Sequence, residues 1–150
     1  MCAALATAAQ AQWPGPSQPV RVAPERDYGP FVFQRDDGAI DGLSIEMLRL
    51  LQQRIGLTLQ MLPARPLNDQ LQALRQRDAD LVSSLRATPE RGAYALFTLP
   101  YVSVPAVLVM RTGEAERSLA AMSGEAIAVG QGFAVEPVMR QRYPRVPGRA

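Results

Sequence analysis

The 150-residue sequence contains no histidine and a single cysteine, Cys2. Without histidine there is no Ser-His-Asp triad and no imidazole metal ligand, and one cysteine allows neither a Cys cluster nor an intrachain disulfide. Reducing and oxidising compartments both tolerate a lone thiol, so Cys2 does not locate the protein. Lysine is absent too: all 16 basic residues are arginines, and against 14 acidic residues the net charge is +2. The arginines are scattered from Arg21 to Arg149, with no basic run and no aromatic-interleaved stripe. Nucleic-acid binding therefore has no compositional support. An Arg-, Ala- and Pro-rich chain without lysine fits biased genomic base composition better than a phosphate-binding task. No segment approaches the roughly 20 apolar residues of a membrane span. The 47% hydrophobic content suffices for one modest core, or for part of a larger one.

The first residues, "MCAALATAAQAQWPG", are small and apolar and reach "AQA" before Gln12. A small-x-small triplet after an apolar stretch resembles a secretory cleavage site. The basic n-region is missing, so residues 1–11 read as the remnant of a signal peptide with cleavage after Ala11; a disordered Ala-rich start is the plainer alternative. Cys2 lacks a preceding apolar lipobox, which argues against a lipoprotein anchor. Residues 12–19, with "WPGPSQP", read as a linker.

Beyond it, "VRVAPE" alternates as a short strand, and "YGPFVFQRDDGAIDG" reads as a loop and hairpin-like excursion turning at Asp37-Gly38. Ser44 is placed to cap a helix over residues 45–55, in which Met47, Leu51 and Ile55 recur every four residues beside Leu48, and Gly56 follows as a stop. "LTLQML" (57–62) alternates as a strand, and Leu67, Leu71 and Leu74 have helical spacing. "ADLVSS" (79–84) reads as a buried strand. Strand, helix, strand, helix, strand predicts an α/β layer with parallel pairing, and in such sheets ligands sit at the carboxyl ends of strands.

"LVSSLRATPER" is such an end. Thr88 suits a helix N-cap, Pro89 the first helical position and Glu90 the positive end of the dipole. Arg91 in the same turn is the anomaly, because the macrodipole disfavours a cation there by roughly 0.3–1 kcal/mol. Two readings stand. Either Arg91 is a solvated surface residue, or its planar fork and the free amides of the helix start hold a carboxylate between them, with Ser84 donating a hydroxyl.

The ordered set "YGPF", "GAIDGLSIEMLRLLQQRIGL", "LQALRQRDADLVSSLRATPER", "FTLPYVSVPAVLVMR" and "IAVGQGFAVEPVMRQRYP" spans Tyr28 to Pro144. In that order these segments resemble a type 2 periplasmic solute-binding domain of the amino-acid-binding family. The helix and the last two segments look most like its sensor version, which lies outside the membrane on hybrid histidine kinases of the virulence-sensor type. The resemblance implies an α/β fold: the first lobe of a two-lobed flytrap (20–111, partial) and the start of a second lobe (112–150, incomplete), reached through "VLVMRTGE". It implies that Arg91 of the T-x-x-R motif holds a ligand carboxylate, assisted by Ser84, Arg86 and Thr88. Tyr28 would pack against the ligand side chain, with a plain loop aromatic as the alternative, and Gly132, Phe133 and Ala134 would offer backbone N–H groups from the second lobe.

Some positions depart from the family pattern. Phe133 and Ala134 stand where hydroxyl residues are usual, and Ser44 replaces the first carboxylate of the helix-opening pattern while Glu46 keeps the second. Arg86 stands where a small residue is usual, so it either favours a more anionic ligand, such as a dicarboxylate, or points to solvent. The acidic residue that usually pairs with a ligand ammonium would fall after Ala150, which implies a fragment of a longer product or a broken reading frame, with Val138 and Met139 partly uncovered. The implied function is periplasmic recognition of a small anionic or zwitterionic ligand, without cofactor or metal, as the input of a membrane-anchored kinase; delivery to an ABC permease is the alternative. An enzyme of the dehydratase or lytic-glycosidase kind is the third class. Its available acids, Glu46 and Glu90, each have an ordinary helix-dipole explanation and no second acid at a defined spacing.

Overall fold

The computed structural model describes residues 18–149; the signal-peptide reading, Cys2 and the cleavage position lie outside them. Strand β1 (Val20–Val22) pairs in parallel with β5 (Leu59–Met61), Val22 opposite Met61. On its other edge Val22 bridges Leu81 in parallel, and the Ala23 N–H donates to the Leu81 carbonyl at 2.9 Å. The parallel layer expected from the element order is therefore present, but the strand expected over 79–84 is reduced to that single bridge. Ser84 sits at φ 59°, in the left-handed region, so the chain turns out of the extended conformation before a ladder can continue.

Between β1 and β5 stand a three-stranded antiparallel sheet and the first helix. β2 (Asp27–Tyr28), β3 (Val32–Gln34) and β4 (Ile40–Asp41) pair in that order. The connection from β3 to β4 turns where Asp37-Gly38 predicted: Gly38 adopts φ 83°, and the Asp37 carboxylate accepts the Ala39 N–H at 3.0 Å. Helix α1 (Leu43–Ile55) ends at Gly56 in the left-handed conformation, as read from the sequence. Its start differs. The N-cap is Gly42, without a side-chain cap, and Ser44 lies inside the helix, buried. Gly42 is required there: at φ 120° an added Cβ would stand 2.4 Å from the Phe31 carbonyl oxygen.

The face that α1 buries also differs from the Met47–Leu51–Ile55 stripe. Ile45 and Leu48 join Val22 and Val32 in the core, with Tyr28, Ile40, Leu59 and Leu81 packed against it, while Leu51 and Ile55 are exposed. Helix α2 (Leu67–Gln76) buries Leu71 and closes with Arg77 in the left-handed conformation. Arg21 ties β1 to the loop after α2: its guanidinium pairs with Asp80 at 2.8 Å and donates to the Arg77 carbonyl at 2.7 Å.

The single-turn helix α3 (Pro89–Gly92) follows, and residues 96–110 run without regular secondary structure. After a 3₁₀ turn at Leu119–Met122, β6 (Ile127–Ala128) and β7 (Gly148–Arg149) pair in parallel around helix α4 (Val135–Arg142), a small βαβ unit. Helix α4 lies in the segment that the resemblance assigned to the start of the second lobe. Within α4 Met139 is buried and Val138 is exposed, so of the two only Val138 is uncovered.

Candidate functional site

Arg91 is 5% exposed, which removes the solvated-surface reading. Thr88 caps α3 as its sequence predicted, its hydroxyl oxygen accepting the Arg91 N–H at 3.2 Å. The helix has only four residues, so the macrodipole that made Arg91 anomalous is slight. Arg91 is instead held by backbone oxygens from two distant segments: the guanidinium donates to the Arg86 carbonyl at 2.7 Å and to the Gly132 carbonyl at 2.9 Å. No carboxylate among the described residues forms a salt bridge with it. Burial pushes the guanidinium below its ordinary value, opposed by Tyr94, Glu90 and Glu25 and reinforced by Arg75; it stays a cation at neutral pH. Arg75 braces α3 from outside, pairing with Glu90 at 2.9 Å and lying 4.4 Å over the Tyr94 ring.

The guanidinium lines a cavity of about 200 Å³ that gathers Tyr28, Ser84, Arg86, Phe133 and Ala134 from the expected set. Thr88 and Gly132 line an adjoining cavity together with Arg91, Phe133 and Ala134. All eight residues singled out in the sequence thus meet around one guanidinium. Tyr28 packs tilted on Phe31 at 5.3 Å and edge-on to Phe133 at 6.5 Å, so its ring spans from the first part of the chain to the second.

Several details differ from expectation. The Gly132 N–H donates to the Glu136 carboxylate at 3.1 Å and the Phe133 N–H to the Gly130 carbonyl at 3.1 Å. Both amides are spent internally, and Gly132 faces Arg91 with its carbonyl rather than its N–H. Gly132 adopts φ 78°, a left-handed backbone that favours glycine, and the Asn68 side-chain amide of α2 packs directly against it. Arg86 does not point freely into solvent; its guanidinium donates to the Val104 carbonyl at 2.5 Å. Ser84 shares its hydroxyl with Ser44, and the Ser44 hydroxyl also bonds the Tyr101 hydroxyl at 2.7 Å. Ser44 therefore belongs to a part-buried hydroxyl cluster with Ser84 and Tyr101, not to a helix cap.

Sequence reasoning missed Glu25, Leu67, Val104–Ala106 and Val135 in the lining. Glu25 was findable, since it closes "VRVAPE" at the carboxyl end of a strand where ligands collect. Its carboxyl is pushed up by burial, with Asp27 adding to the shift and Arg91 opposing it. Val104–Ala106 carry no local signal, because their place depends on how the chain returns over the first segment. Glu46 and Glu90, the acids of the enzyme reading, are exposed and paired with Arg49 and Arg75; neither lines the cavity that holds Glu25.

Residues 20–141 match the model of the bacterial extracellular solute-binding proteins, family 3. The virulence sensor protein BvgS of Bordetella bronchiseptica is 31% identical over 140 residues, which cover 93% of this chain and 11% of the sensor. The crystal structure of the B. pertussis BvgS periplasmic domain superposes with a TM-score of 0.76 at 28% identity, over 87% of this chain and 26% of that one. A Salmonella typhimurium periplasmic binding protein described as having high arginine specificity superposes with a TM-score of 0.76 at 20% identity, over 89% of this chain and 60% of that one, a likeness of fold. The chain thus spans about a tenth of the sensor it matches, and no helix among the described residues is long and apolar enough to cross a membrane. With the guanidinium-centred cavity between two α/β segments and a family match over most of its length, this chain belongs to the family 3 bacterial extracellular solute-binding proteins, with the flytrap fold of the BvgS periplasmic domain.

Proposed function

We propose that this chain recognises a small carboxylate-bearing solute, such as an amino acid, in the periplasm and serves as sensory input to a transmembrane histidine kinase. The observation that carries the reading is Arg91: a buried cation without an acidic partner among the described residues, lining a cavity between the first and second segments. A buried charge is costly unless paired, and two neutral carbonyls compensate it only in part. Its remaining N–H groups form a fork for a carboxylate. Glu25 in the same lining offers the opposite charge to an ammonium, which suits a zwitterion, and Tyr28 with Phe133 supplies an apolar cover. Residues 20–111 and 112–150 form the two sides. A solute touching both binds the closed arrangement better than the open one and shifts the population toward it.

Delivery of the solute to an ABC permease is the second reading, supported by the fold shared with a free periplasmic binding protein. The binding chemistry is the same, and the genomic sequence beyond the Ala150 codon separates the two: a membrane span and kinase motifs for the sensor, neighbouring permease genes for delivery. Titration calorimetry with amino and dicarboxylic acids tests the site itself. Arg91→Ala is expected to weaken binding about 100-fold, the scale of a lost charge-assisted pair. Equal binding by both proteins removes Arg91 from the site.

A further inference from the structure

We propose that Arg86 is a strap separating the Arg91 cavity from a second, aromatic cavity, and that the second cavity receives the apolar or aromatic tail of a carboxylate ligand. This rests on the carboxylate reading of Arg91. The second cavity, of about 580 Å³, shares Tyr28, Ser84, Leu85, Arg86 and Val104 with the first, so the two meet along one border. Beyond the border it is lined by Phe31, Phe97, Leu99 and Tyr101. The border has two parts. The Tyr28 ring has Phe31 of the second cavity on one flank and Phe133 of the first on the other. The Arg86 side chain crosses from the loop before α3 to the Val104 carbonyl and ends there in one hydrogen bond of 2.5 Å.

Tyr28 is held by packing on both flanks, whereas Arg86 is exposed and held by a single bond to a neutral acceptor. The strap is therefore the part of the border that yields. With it closed, a ligand anchored at Arg91 has the cavity of about 200 Å³ and the adjoining one lined by Thr88 and Gly132, both on the near side of Arg86. With it displaced, the tail of the same ligand continues into an aromatic-lined space, where a ring finds edge and face partners. A short side chain at residue 86 would leave the passage permanently open, so arginine here restricts entry of the tail to the aromatic space.

The test compares the wild-type chain with Arg86→Ala and Arg86→Lys, the latter keeping a donor on a long stem. By calorimetry, the affinity for 3-phenylpropionate relative to acetate is expected to rise about tenfold in Arg86→Ala, the scale of removing one hydrogen-bonded barrier, and to stay near wild type in Arg86→Lys. The same ratio in all three proteins overturns the proposal. Indole, which has no carboxylate, supplies the second arm by NMR. It is expected to shift the Leu99 methyl signals in every protein but those of Val135, in the Arg91 cavity, only in Arg86→Ala. If neither acid binds any of the three, the Arg91 reading has failed and indole decides alone. Val135 shifts in Arg86→Ala only uphold the partition; Val135 shifts in all proteins, or in none, overturn it.

Discussion

The Arg91 guanidinium is buried between two backbone carbonyls, which its planar fork of donors can reach together. Glu25 and Asp80 shift in opposite directions. Glu25 has its carboxyl raised by burial, so between its ordinary value and the raised one the native state binds a proton that the unfolded chain does not. Stability therefore falls as pH rises through that window. Glu25→Gln is expected to remove the slope and to be more stable than wild type near neutral pH, as read from urea midpoints across a pH series. Asp80 behaves oppositely. The hydrogen bonds from Arg21, side chain first and then backbone, hold its carboxyl down at about 2 against 3.8. Its contribution is present above the ordinary value and is lost as pH falls toward the depressed one. Asp80→Asn is expected to flatten the acid limb of the unfolding curve in that range, and a limb identical to wild type would show the pair to be inert. Both partners are well exposed to solvent, so the effect is small.

Helix α1 starts on a glycine, and this is where the local elements are most sensitive to substitution. Gly42 combines φ 120° with a space that the Phe31 carbonyl closes to any Cβ, and the Ser44 N–H donates to that same carbonyl at 2.9 Å. Gly42→Ala must move the helix start, and with it Ser44 and the hydroxyl cluster behind Ser84. The expected cost is about 2–4 kcal/mol, from a strained backbone plus overpacking, measurable by urea denaturation. Gly56, also left-handed but with open space around it, is expected to cost about 1 kcal/mol as alanine, since only the backbone term applies. Equal losses at the two positions would mean that the contact at Phe31 is relieved elsewhere.

Across the chain as a whole, the apolar surface is unevenly covered. Leu96 and Leu99 are 102% and 90% exposed, and Val107 and Val109 are 75% and 85% exposed, all within the run of 96–110 that has no regular secondary structure. Exposed apolar side chains clustered in a stretch without regular secondary structure form an association surface. The chain is expected to self-associate with rising concentration in sedimentation velocity runs, and Leu99→Lys with Val107→Lys to shift it toward monomer. If the double variant associates as strongly as wild type, the contact lies elsewhere.

Much of this organisation was legible in the chain order. Periodicity and punctuation located α2, the Asp37-Gly38 turn and the Gly56 stop, because each depends on neighbours a few residues apart. The T-x-x-R spacing singled out Arg91, since a cation next to its own cap is locally odd. Folding in three dimensions decided the rest. Ser44 became a buried hydroxyl partner because Gly42 could start the helix two residues earlier. The stripe on α1 rotated to Ile45 and Leu48 because the core lay on that side. The 79–84 strand shrank to one bridge where Ser84 turned left-handed. Glu25, Val104 and the Gly132 carbonyl lie 66, 13 and 41 positions from Arg91 along the chain and share its surroundings only in the folded structure. Local patterns encode propensity; which groups share a cavity is set by long-range packing, and no window of the sequence contains it.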